Sequence, residues 1–125
     1  MDSTTYQRNY SRSPKRRATM YAWTRSEQGS ISCRNSRLKY RYGITLDEYN
    51  EMLKNQNGVC AICKLSEKDK NLAVDHDHIT GQVRGLLCRD CNESIGKFKH
   101  SFEILRNAAS YLEAYGASPT IGNTR

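Results

Sequence analysis

No stretch of this 125-residue chain is continuously apolar for the roughly 18 residues that a membrane-spanning helix requires, so no membrane span is expected. The N-terminus lacks the apolar core of a secretory signal, which removes the case for a disulfide-forming compartment. No internal repeat is visible. Aliphatic residues are scarce in residues 1–37, and acidic residues are scarcer still. Residues 1–44 carry two Asp/Glu against ten Lys/Arg. The net charge of +7 therefore lies in the N-terminal third, because residues 45–100 hold nine acids against eight bases. A basic segment of this kind suits nucleic-acid phosphates, and it equally suits a solvated leader.

The length is that of one small domain. A core this modest is helped by a metal staple. The chain divides by composition into a basic, poorly ordered arm (1–37), a domain (38–116) and a flexible tail (117–125). In the arm, Arg12 to Arg17 form a compact basic run, and Tyr6, Tyr10, Tyr21 and Trp23 could stack on bases or pack on the domain.

Pattern becomes readable after residue 38. Thr45 and Glu48 have the spacing of a capping box, which predicts a helix beginning after Thr45. Leu46, Tyr49, Met52 and Leu53 would form its apolar face, and Asn57 and Gly58, which tolerate positive φ, would end it. Residues 72–76 and 83–87 read as a β-hairpin turned at Thr80 and Gly81. A helix is expected from Cys88 carrying Asn92, Ile95 and Phe98. A last one is expected from Ser101 to Tyr115, with Phe102, Leu105, Ala109 and Leu112 as a core-facing stripe.

Five cysteines are present. Four form two Cys-x-x-Cys pairs, Cys60/Cys63 and Cys88/Cys91, and Cys33 is left over as an incidental thiol. Two residues between paired cysteines let one tight turn aim both sulfurs at a single point. Two such turns complete a tetrahedral four-cysteine site for structural Zn2+. The 24 residues between the pairs leave room for the hairpin. Paired redox dithiols are the competing reading.

A four-sulfur site leaves no open coordination position, so the tetrapeptide Asp75-His76-Asp77-His78 between the pairs is surplus to zinc. It could be a solvated turn, with Asp75 or His78 as spare ligands. It could also be reactive. Neutral imidazole can take a proton from water near neutral pH. Carboxylate and amide oxygens suit Mg2+ or Mn2+. Asp75, His76 and Asn92 are thus a sufficient set for hydrolysing a phosphodiester. One condition attaches: in a regular strand Asp75 and His76 would face opposite ways, so the strand must end or bend there.

The segments Arg41 to Thr45, Cys60 to Cys63, Asp75 to His78, Thr80 to Cys88 and Cys91-Asn92 occur in one order that resembles the phage recombination endonuclease VII family, within the HNH or His-Me finger nucleases. The likeness covers roughly residues 41–115. It implies an α+β fold: a small ββα-metal site stapled by a four-cysteine zinc site, with flanking helices and the basic arm outside it. It implies a metal-dependent DNA endonuclease in which His76 is the general base, Asp75 and Asn92 bind catalytic Mg2+, and His78 contacts or orients the scissile phosphate. Arg84 could meet phosphate or face solvent. Branched or recombination-intermediate DNA would be the substrate, and the host-cell cytoplasm the location if the chain is phage-encoded. Phage replication or packaging proteins would be its company. The family's founding enzyme is a dimer with a further C-terminal region, whereas this sequence gives no indication of a homodimer. Ile95 stands where that enzyme has an acidic residue. A noncatalytic zinc module that binds nucleic acid, and an assembly protein, are the alternatives from other classes.

Overall fold

The computed structural model describes residues 13–67 and 70–116. Expectations placed on Tyr6, Tyr10, Arg12 and the tail from residue 117 lie outside these. The described residues form five helices and one two-stranded antiparallel sheet, in the order α1 (Pro14–Arg25), α2 (Glu27–Tyr42), α3 (Leu46–Asn55), β1 (Ala73–His76), β2 (Val83–Leu87), α4 (Arg89–Lys97) and α5 (Phe102–Ala114). This is a small α+β architecture. The chain divides into two compact units, one ending at Tyr49 and the other beginning at Asn50.

In the first unit, helices occupy a stretch for which the sequence reading assigned no element. Local signals account for them. Ser13 caps α1 by accepting from the Arg16 N–H, and Pro14 sits at the first helical position, where its missing N–H costs nothing. Ser26 ends α1 and caps α2. The two helices pack on each other, and Gly29 permits their close approach: a Cβ there would lie 1.8 Å from the Trp23 carbonyl oxygen. Gly43, at φ 70°, closes α2 in the left-handed region. The Asn35 side-chain oxygen accepts from the Leu46 N–H at 2.8 Å, satisfying one of the open donors of α3. Arg34 lies over the buried Tyr49 ring.

The capping box of α3 is present in both directions. Thr45 N–H donates to Glu48 Oε2 at 2.6 Å, and Glu48 N–H donates to Thr45 Oγ1 at 3.1 Å. Asn57 and Gly58 follow with φ of 55° and 73°, as their residue types suggest.

The second unit is built around the hairpin. Leu72, Val74, Leu86 and Leu87 are buried together with Cys60 and Cys88. The strands pair Ala73 with Leu87, Val74 with Leu86 and Asp75 with Gly85, and then His76 pairs with Val83. The register therefore skips Arg84: β2 carries one residue more than β1 at this point, a β-bulge. Helix α4 packs against β1. Helix α5 starts at its expected cap, with Ser101 Oγ accepting from the Ile104 N–H. Its apolar stripe is not core, however. No residue of α5 is buried, and Phe102 and Leu112 are 71% and 54% exposed. The spacing on this helix specifies amphipathicity, but amphipathicity alone does not say what covers the apolar side.

Candidate functional site

The first element of the site is the cysteine cluster. The chain after α3 turns back so that Cys60 N–H donates to Leu65 C=O and Lys64 N–H donates to Cys60 C=O. Lys64 takes φ 60° to close this knuckle. Across the hairpin, Cys88 is the N-cap of α4, and its sulfur accepts from the Cys91 N–H. Ile62 N–H donates to the Cys60 sulfur in the same way.

The sulfurs of Cys60, Cys63, Cys88 and Cys91 all lie within 4.8 Å of one another, and Cys63 and Cys88 are 3.8 Å apart. A tetrahedron with zinc–sulfur bonds of about 2.3 Å has sulfur–sulfur edges of about 3.8 Å. The cluster therefore fits zinc in size and in donor type. Cys33 lies outside it.

Three of the thiols are perturbed by burial and by one another. Burial raises the Cys60 thiol, but the backbone N–H groups of Cys88, Cys63 and Ile62 together outweigh burial and bring it to about 7. Burial and the neighbouring sulfurs push Cys91 strongly up, and burial raises Cys63. Four thiolates this close repel one another. A divalent cation at their centre would let all of them ionise.

The second element is the far end of the hairpin. Asp77 holds the loop: its Oδ1 accepts from the Ile79 and Thr80 N–H groups at 2.8 Å each, and its own N–H and C=O pair with Gln82 and Gly81. Those donors, Thr80 first, hold its carboxyl below the usual range. Asp77 is thereby a turn residue.

Asp75, by contrast, is only 6% exposed. Its two oxygens accept from Arg84 Nε at 2.7 Å and Nη2 at 2.9 Å. This pairing raises Arg84 above its ordinary value. The rings of His76 and His78 stack with centroids 4.9 Å apart. Asn92 lies on α4, half-buried, on the helix that packs against β1.

The bulge falls between Asp75 and His76. The extra residue belongs to β2, and β1 itself ends at His76.

Two residues of this region carried no sequence signal. His100 lies 4.6 Å from the His78 ring, and its Nδ1 receives a bond from Arg84 Nη2 at 3.0 Å. It is brought there by a turn in which Lys99 and His100 both take φ 54°. Gln56, after α3, clamps β2 by its side-chain amide. Both contacts are long-range, and neither residue belongs to a motif.

Comparison with known proteins gives the family. The model for recombination endonuclease VII matches residues 34–114. A "Gene 59 protein" of Mycobacterium phage L5 is 41% identical over 107 residues, covering 84% of this chain and 65% of that protein. A "Gene 59 protein" of Mycobacterium phage D29 is 45% identical over 89 residues, covering 70% of this chain and 54% of that one. The chain thus spans between about half and two thirds of the length of these relatives. With the family match running over most of the chain and two phage proteins sharing its sequence at this level, the chain belongs to the recombination endonuclease VII family.

Proposed function

We propose that the protein is a metal-dependent DNA endonuclease built on a ββα-metal, or His-Me finger, framework and stapled by zinc at Cys60, Cys63, Cys88 and Cys91. The observation that carries this reading is the placing of Asp75 and His76 at the end of β1, the strand packed against the helix bearing Asn92. Family membership supports the reaction class.

In this reading His76 accepts a proton from water while the water oxygen attacks phosphorus. The bond from phosphorus to the leaving sugar oxygen breaks, and that oxygen is protonated from solvent. Asp75 and Asn92 offer the hard oxygen donors that suit Mg2+. When bound there, Mg2+ would supply positive charge for a phosphate oxygen and for the leaving oxygen. His78, stacked on His76, would orient the scissile phosphate.

The zinc staple joins Cys60 and Cys63, which precede the hairpin, to Cys88 and Cys91 at the start of α4. It thereby fixes the strand carrying His76 relative to the helix carrying Asn92. Charge assigns DNA binding to the basic N-terminal segment, residues 1–37. Within it, α1 holds Lys15, Arg16, Arg17 and Arg25 with no acidic residue and nothing buried. Ser13, Lys15, Arg16, Thr19, Met20 and Trp23 border an open hollow of about 500 Å3 along it. Phosphates and an exposed base would both find partners there. Branched DNA is the substrate class the family name suggests.

The test is nicking of supercoiled plasmid with Mg2+. His76→Ala should reduce the rate by about 100-fold or more, the usual worth of a general base, while zinc content and DNA affinity are retained. Equal nicking by the two proteins would leave the noncatalytic binding module as the better reading.

A further inference from the structure

Asp75 is a buried carboxylate with both oxygens taken by one guanidinium. Arginine offers only donors, so the bond between Arg84 Nη2 and His100 Nδ1 makes that nitrogen the acceptor. Arg84 thus has two anchors, Asp75 and His100. Its side chain is 37% exposed, against 8% for that of Asp75. Arg84 is thus the member of the pair open to a ligand from solvent. The bulge explains its position, since Arg84 is the residue of β2 that the ladder skips.

A divalent cation bound by Asp75 needs at least one of the oxygens that Arg84 now holds. Guanidinium and a divalent ion on one small carboxylate repel strongly where water is excluded. We propose that Arg84 is a guard on Asp75, which moves from the carboxylate to a DNA phosphate and so makes metal and DNA bind cooperatively. Phosphate offers the guanidinium the same bidentate geometry that carboxylate does. His100 is the pivot: its Nδ1 retains Nη2 while Nε and the rest of the fork turn outward. Its ring, against His78, keeps the guanidinium beside the position proposed for the scissile phosphate. Cooperativity follows by linkage, because whatever draws Arg84 away from Asp75 favours the metal, and the metal in turn favours the DNA. The inference rests on the reading of Asp75 as a metal ligand.

The experiment measures Mn2+ binding to the zinc-loaded full chain by the electron paramagnetic resonance signal of free Mn2+. It is run with and without a non-cleavable phosphorothioate duplex, after subtracting Mn2+ held by the duplex alone. In the wild type, DNA should tighten Mn2+ binding at least about fivefold. Arg84→Gln should bind Mn2+ more tightly than wild type without DNA and lose the DNA effect. Arg84→Lys, which keeps a cation beside the buried carboxylate if the Gln variant misfolds, should fall between the two. Zinc content and circular dichroism establish that each variant is folded. Arg84 variants with wild-type Mn2+ affinity and an undiminished DNA effect would overturn the guard alone. If Asp75→Asn leaves Mn2+ binding unchanged, the metal-ligand reading of Asp75 falls, and the guard falls with it.

Discussion

The side-chain amide of Gln56 pairs with both backbone groups of Leu86, accepting from its N–H and donating to its C=O at 2.9 Å each. It acts as a one-residue extension of the sheet. The same NH2 donates to Val59 C=O at 2.9 Å, so one side chain joins the end of α3, the approach to the first cysteine knuckle and β2. Leu86 itself is fully buried.

Gln56→Ala should therefore cost about 1–3 kcal/mol of stability, the usual penalty for leaving part-buried backbone groups without this partner. Leu86 C=O retains a bond from Ala61 N–H, which keeps the loss at that scale. Gln56→Glu keeps the acceptor and loses both donated bonds, so it too should destabilise. Chemical denaturation checks this, and midpoints equal to wild type would show that the clamp is dispensable.

Zinc content gives the second expectation. The folded protein should hold one equivalent of zinc. Removing it by chelation should abolish the cooperative melt of the unit that begins at Asn50, since structural zinc contributes on the order of 10–16 kcal/mol in small zinc-finger peptides. Cys88→Ser should lose the metal, and Cys33→Ser should keep it. A melt unchanged after verified zinc removal would contradict the staple.

The hairpin loop makes a pH-dependent expectation. Asp77 has a lowered pKa, from the Thr80 and Ile79 N–H groups above all. A group whose folded pKa is depressed contributes stability above its unfolded pKa, about 3.9 for aspartate. That contribution is lost as pH falls below this value through the folded pKa. Asp77→Ala should lower the melting temperature at neutral pH, and the difference from wild type should shrink on acidification below about pH 4. A difference that stays constant from neutral pH down through the folded pKa would exclude this role for the carboxylate.

The sequence made the α3 capping box, the knuckle spacing, both strands and the Ser101 cap legible, because each is set by residues within a few positions of one another. Ser13 and Pro14 form an equally local start for α1, which the polar, aliphatic-poor composition around them masks. Other features are long-range. Nothing near His100 announces that it will meet Arg84, and nothing near Gln56 announces Leu86. The sequence asked only that the first strand end or bend at Asp75 and His76, and β1 ends at His76. Which strand would carry the extra residue depends on pairing, and pairing is not written in either strand alone. The stripe on α5 shows the converse: a clear local pattern whose covering surface no local pattern identifies.

The place of Arg84 in the ladder also bears on how the hairpin tolerates changes of length. A residue added near Gly81 would enlarge a loop already beyond the bulge and leave the pairing of Ala73–Asp75 with Gly85–Leu87 alone. Deleting Arg84 is different. The ladder would become regular, with the cysteine side still in register and the guanidinium that holds Asp75 gone. A single-residue deletion would thus spare what holds the hairpin together while removing the side chain that occupies Asp75.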